Sequence, residues 1–257
     1  MDQPIFEPGP GETPIWNEVT VVGLYADDID SDALKEAIDG ALASLSLAPC
    51  TLSLIEDQDW ERAWLVDFKP LCFGDRLWVC PTGFEVDAGA GVIMELDPGL
   101  AFGTGTHPTT ALCLEWLARH DLKDMRLIDY GCGSGILAIA AARLGAKPVY
   151  AVDIDPQCLA VTRENARQND VERQLQVGSA EVLDCPATDV LLANILAGPL
   201  VQLAPRLSAL VRPGGSIVLS GLLAEQIDVC LAAYGPSFTM DPAQIEGDWA
   251  MLTGRRH

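Results

Sequence analysis

Positive charge is scarce. The chain's 257 residues hold 16 lysines and arginines against 37 aspartates and glutamates, a net charge of −21. A protein this acidic repels a phosphate backbone unless it carries a local basic patch. The one basic pair, Arg255-Arg256, sits at the tail. Direct contact with nucleic acid is therefore not expected, whereas a basic protein or a cationic ligand suits the charge. Histidine is scarcer still. His107, His120 and His257 lie far apart and offer no metal-ligand spacing. None of the eight cysteines forms a C-x-x-C pair, and several lie inside apolar runs. That pattern reads as reduced, buried cysteine, not a disulfide framework or a zinc site. No metal is expected. No apolar run reaches the ~18 residues of a membrane span. The opening Met1-Asp2-Gln3-Pro4 lacks the basic and apolar regions of a signal peptide. No membrane attachment and a cytoplasmic location are expected.

What is present is ordinary globular composition, 49% hydrophobic and 21% charged. The length suits one large domain or two unequal ones. Residues 1–11, rich in proline, glycine and acid, read as an open lead-in. The apolar run at 19–25 predicts a strand. Asp30-Ser31-Asp32 can cap a helix with apolar positions Leu34, Ile38, Leu42 and Leu45. Alternation over 51–55 predicts a second strand, giving a small β-α-β block that ends near Asp57. Trp60, Trp64 and Phe68 recur every four residues, which predicts a bridging helix over 58–70 that packs between domains. Short strands follow at 71–73, 77–80 and 92–96.

From residue 127 the pattern alternates. Strands are expected at 127–130, 149–153, 190–193 and 217–219, with 213–215 as a turn. Helices are expected at 136–144, 156–169, 200–210 and 224–234. Strands at 237–240 and 249–253 close the chain as a hairpin. Such alternation predicts an α/β fold, a doubly wound and mostly parallel sheet with helices on both faces. Ligands of such sheets bind beyond the carboxyl ends of the strands.

Three motifs carry chemistry. The first is Asp129-Tyr130-Gly131-Cys132-Gly133-Ser134-Gly135, between a strand and a helix. Gly131 and Gly133 permit a tight turn and close ligand approach. About twenty residues on, Asp153 ends the next strand, where a carboxylate can accept both hydroxyls of a ribose. A dinucleotide site wants a third glycine where this chain has Ile136. The acid at Asp129 suits a cation better than a pyrophosphate, which points to S-adenosylmethionine. The second motif runs over 97–110 and joins two flexible glycines, the aromatic Phe102 and the hydroxyls of Thr106 and Thr110. It reads as a lid over a nucleoside leading into a helix with Pro108 in its first turn. The third is Asn194-Ile195-Leu196-Ala197, directly after a strand. An amide carbonyl there can accept N–H bonds from an amine and aim its lone pair.

Together the three motifs resemble the ribosomal protein L-eleven methyltransferase family, PrmA. The resemblance covers residue 56 to the C-terminus and is most specific over 96–116, 131–139 and 194–200. It implies a class I methyltransferase fold with S-adenosylmethionine as donor. It implies transfer to the N-terminal α-amine and lysine ε-amines of one large-subunit ribosomal protein. By position, Thr110, Gly131, Asp153 and Asn194 match the family's donor-binding residues. Gly133, Phe102 and Thr106 join them as candidates, and Asn194 is also the candidate catalytic residue. The family's N-terminal ferredoxin-like domain is expected here as an incomplete β-α-β remnant over 1–57, for substrate recognition. Residues 58–70 are expected to link it to a donor-binding domain at 71–257. A monomer is expected. The alternatives are a methyltransferase with another acceptor, a nicotinamide-dependent oxidoreductase, and a donor-binding relic without activity.

Overall fold

The alternation beginning at residue 127 forms as strands and helices of one sheet. The structure, a computed structural model, describes residues 20–26, 28–45, 47–54, 69–84, 86–87, 89, 91–96, 105–183 and 185–257. The chain divides into two units, Met1–Trp60 and Glu61–His257.

In the second unit, Leu71–Phe73 (β1), Leu77–Cys80 (β2) and Val92–Glu95 (β3) make a three-stranded sheet. Then come Pro108–Arg119 (α2), Leu127–Tyr130 (β4), Ile136–Arg143 (α3), Val149–Val152 (β5), Pro156–Gln168 (α4) and Leu175–Gly178 (β6). Thr188–Asn194 (β7), Ala197–Leu210 (α5), Val211–Leu223 (β8) and Ile227–Tyr234 (α6) follow. Phe238–Met240 (β9), Gln244–Glu246 (β10) and Trp249–Arg256 (β11) end the chain. The large sheet runs β10-β11-β8-β7-β4-β5-β6, with β9 also on β11. From β8 to β6 every pairing is parallel, while β11 is antiparallel to β8.

The central strands β4, β5 and β7 are buried on both faces, as a sheet covered on both sides requires. Leu127, Val149, Ala151, Val190 and Leu192 belong to a core shared with α2, α3 and β1–β3. Ile128, Tyr130, Tyr150, Val152, Leu191 and Ala193 belong to a second core with α5 and α6. Side chains alternate along a strand, so Asp129 falls on the face of Leu127, against α3.

Several elements differ from expectation. β6 is short and was not foreseen, nor was β10. β8 continues through Pro213-Gly214-Gly215, where pairing to β7 begins at Thr188↔Val211 and shifts register before Val190. The predicted helix over 224–234 begins as a 3₁₀ turn, Ala224–Gln226. The terminal strands are both partners in a wider arrangement, because β9 and β10 each pair with β11.

In the first unit, Ser31–Ser44 (α1) forms under the Asp30 cap, whose carboxylate accepts N–H bonds from Asp32 and Ala33. The expected strands do not form: the described residues 20–26 and 47–54 carry no ladder. Val21, Val22 and Leu54 are more than four-fifths exposed. The second segment is held by side chains instead. Lys35 donates to the Cys50 carbonyl at 3.0 Å, and Asp39 accepts the Cys50 N–H at 2.7 Å. The aromatic stripe Trp60, Trp64 and Phe68 lies outside the described residues. No helix among the described residues is long and apolar enough to cross a membrane.

Candidate functional site

The turn after β4 is built from its neighbours. Gly131 and Cys132 both donate to the Val152 carbonyl, at 2.7 and 3.0 Å, so the turn begins as an extension of the β4–β5 ladder. Gly131 has φ +83°, and a Cβ there would stand 2.3 Å from Cγ2 of Ile195. Only glycine meets both demands. Gly135, the N-cap of α3, has φ +82° and no side chain to cap with. Asp129 supplies the cap from below: its Oδ2 accepts the Ala138 N–H at 3.0 Å. From the other side α4 grips the turn. The Thr162 hydroxyl donates to the Gly133 carbonyl at 3.0 Å, and Asn165 Nδ2 donates to the Ser134 carbonyl at 2.8 Å.

Asp129 is the electrostatic anomaly. It is 1% exposed, and its Oδ1 has no hydrogen-bond partner among the described residues. Burial pushes the carboxyl up to about 7; the Ala138 N–H opposes that shift and the charge of Asp153 adds to it.

Asp153 follows β5 and closes the turn. Its Oδ2 accepts the Gly133 N–H at 2.9 Å, and its Oδ1 accepts the Asp155 N–H at 3.0 Å. Each oxygen has a second lone pair, so a fixed, half-exposed carboxylate can still accept two hydroxyls. Asp155 caps α4 by accepting the Gln157 N–H at 2.8 Å, with Pro156 in the first turn as the sequence predicts.

The second half of the site joins β7 to α2. Asn194 ends β7, and its Nδ2 donates to the Thr110 hydroxyl at 3.2 Å. Among the described residues nothing bonds to its carbonyl oxygen, which can face an incoming N–H group. Thr110 is buried in the first turn of α2, so its hydroxyl steers Asn194. That turn is pinned twice. The Ser220 hydroxyl on β8 donates to the Thr109 carbonyl at 3.1 Å. The His107 ring, which caps α2, meets Trp249 edge-on with centroids 4.8 Å apart. Thr106 is exposed one residue before this cap, and Phe102 lies outside the described residues.

The structure thus brings Gly131, Gly133 and Asp153 into one turn and Thr110 onto Asn194. Ile195 joins the halves, because its side chain packs on Gly131 while its backbone crowds Gly221, where a Cβ would be 2.5 Å from the Ile195 carbonyl. Sequence reasoning missed Thr162, Asn165, Ser220 and Ile195. The signal available for the first two was a polar pair three residues apart on one face of α4. Among the described residues no group of three or more His, Cys, Asp or Glu side chains could hold a metal.

A mostly parallel sheet with an antiparallel β11, and a glycine turn and acid at its carboxyl edge, define a class I methyltransferase. Comparison with known proteins narrows the class. The family model for ribosomal protein L11 methyltransferase (PrmA) matches residues 1–257. The chain is 54% identical over 256 residues to a ribosomal protein L11 methyltransferase of Methylococcus capsulatus, covering 99% of this chain and 87% of that one. It is 51% identical over 259 residues to that of Marinobacter nauticus, with the same coverage. The crystal structure of a ribosomal protein L11 methylase from Lactobacillus delbrueckii subsp. bulgaricus superposes with a TM-score of 0.67. It is 34% identical and covers 74% of this chain and 100% of that one. The chain belongs to the ribosomal protein L11 methyltransferase family.

Proposed function

We propose that the chain transfers methyl groups from S-adenosylmethionine to the N-terminal α-amine and lysine ε-amines of ribosomal protein L11. The observation that carries this reading is the juxtaposition of two fixed groups at one sheet edge. Asp153 is held on the glycine turn, and the Asn194 amide is steered by Thr110, with Ile195 packed between. The residues fit the donor. The turn is bare of side chains at Gly131 and Gly133, Asp153 retains acceptor capacity for a ribose, and a buried carboxyl oxygen beneath has no partner among the described residues. The full-length family match favours L11 over another acceptor, and Ile136 in place of a third glycine weighs against a nicotinamide cofactor.

Bound S-adenosylmethionine supplies a methyl group on a positively charged sulfur. The chain must present a neutral amine to it. Neutralising a lysine at pH 7 costs roughly 4.6 kcal/mol, and an α-amine about 1 kcal/mol. Among the described residues the side-chain partner of Asn194 is the Thr110 hydroxyl, which is no base near pH 7, so the amine loses its proton to solvent before docking. The Asn194 carbonyl accepts one remaining N–H and aims the lone pair. With the donor bound, that lone pair would form the N–C bond as the sulfur took the C–S electron pair, and the excess proton would leave to water. Most of the acceleration is positional. The first unit would recognise the substrate and the second would hold the donor. The enzyme would act as a monomer in the cytoplasm, without contacting nucleic acid.

Labelled methyl transfer to purified L11 tests the proposal. Asn194→Ala is expected to lower kcat about 100-fold while donor affinity stays within about threefold. An unchanged kcat removes Asn194 from the reaction. Failure of the wild type to label L11 removes the substrate.

A further inference from the structure

We infer that Asp129 is the residue by which the donor site selects positive charge: it shares its time between the protonated and ionised forms in the ligand-free protein and gives up its proton when a cationic ligand enters. The inference rests on the donor site proposed above.

The geometry is that of a group between two states. The carboxyl sits under the glycine turn, between β4 and the first turn of α3, at 1% exposure. Among the described residues one oxygen has one donor, the Ala138 N–H, and the other has none. A permanently ionised carboxylate in that position would be uncompensated, because one backbone N–H is too little for a buried charge. A permanently neutral one would be a costly way to cap a helix that Ser or Asn could cap. Among the described residues, the groups packed around it supply no positive charge. β5 contributes Asp153, a like charge. α2 contributes Cys113, whose thiol burial pushes up to about 12, and the turn contributes Cys132, also pushed up by burial. Both thiols stay neutral near pH 7. β7 ends in the uncharged Asn194. The missing positive charge is the one the donor carries, on its sulfonium and its ammonium. Only the glycine turn separates the carboxyl from the donor's place, and Gly131, Gly133 and Gly135 put no side chain in the way.

The chemical step is a proton transfer. The carboxyl O–H bond breaks heterolytically, the proton goes to buffer, and the carboxylate keeps the electron pair. Linkage sets the sign: ligand that binds the ionised form better is bound more weakly as pH falls below the free protein's titration, about tenfold per pH unit.

Calorimetric titration of the ligand-free protein with S-adenosylmethionine, in phosphate and in Tris, counts the protons. We expect about half a proton released per donor at pH 7, close to one at pH 6 and none by pH 9. Asp129→Asn should bind more weakly, release none, and show affinity flat from pH 6 to 8. His107→Asn, at the ring that caps α2, should release as the wild type does. S-adenosylhomocysteine keeps the ammonium and lacks the sulfonium. Release with both ligands assigns the ammonium as the sensed charge, and release with the donor alone assigns the sulfonium. Binding heat independent of buffer at pH 6 and 7 overturns the inference, as does release that survives Asp129→Asn and vanishes in His107→Asn. Infrared difference spectra of the wild type give a reading that needs no variant. Loss of a protonated-carboxyl band on donor binding supports the inference, and its persistence overturns it. No binding at all fails the donor site itself.

Discussion

Gly131 shows how one residue can answer to two constraints. Its φ of +83° excludes most side chains on conformational grounds, at roughly 1–2 kcal/mol. The 2.3 Å approach to Ile195 excludes them on packing grounds. Ile195 cannot retreat, since its carbonyl already abuts Gly221. Gly131→Ala must therefore push the turn away from β7 and separate Asp153 from Asn194. A rise in donor Kd of at least about tenfold is expected by titration, with a fall in Tm by thermal unfolding. An alanine variant with wild-type affinity would mean that the two halves of the site are not coupled through this contact. The glycine was legible in the sequence as a turn residue, but its crowding partner was not. Ile195 lies 64 positions away, and nothing local marks it. The same holds for Asp129, whose acid character was evident while its burial and orphaned oxygen depend on α3 folding back over β4.

At the scale of elements, α4 connects sequence to function least visibly. Its outer face is polar, and its cap and first-turn proline announce it. Its inner face holds the glycine turn through Thr162 and Asn165. Thr162 is fully buried, so its hydroxyl serves the turn and nothing else. Thr162→Val keeps the shape and deletes a bond worth about 1 kcal/mol. A fivefold loss of donor affinity is expected, with helix content by circular dichroism unchanged. Equal affinity would make the bond incidental. Element boundaries were readable where periodicity and caps agree, as at α2, α4 and β4. They were not where pairing decides. Pro213-Gly214-Gly215 keep their turn tendency inside β8: pairing to β7 passes from Val211 to Ser216 across them, and Gly214 has φ +74°. β6, with Leu175-Gln176-Val177, is too short to display alternation. In the first unit the reverse occurs: residues 20–25 and 51–54 have strand-like patterns, and among the described residues of that unit no strand forms.

The whole molecule carries −21 charges, and its proposed substrate is a lysine-bearing protein. Long-range attraction should speed their encounter and be screened by salt. Raising ionic strength from 0.05 to 0.5 M is expected to raise KM for L11 about tenfold, and donor Kd, governed by short-range contacts, less than threefold. Equal sensitivity would mean that net charge does not steer the substrate. The charge was readable from composition alone, and so was its preference for a cationic partner. The site beneath it was readable only in parts, because composition says nothing of which carboxylates face one another. The account stands on Asp153 holding the donor against the glycine turn. Calorimetric titration of S-adenosylmethionine into wild type and Asp153→Ala tests this most directly. The account predicts saturable wild-type binding and a loss of about 100-fold or more in the variant. Equal affinity in the two proteins would contradict it.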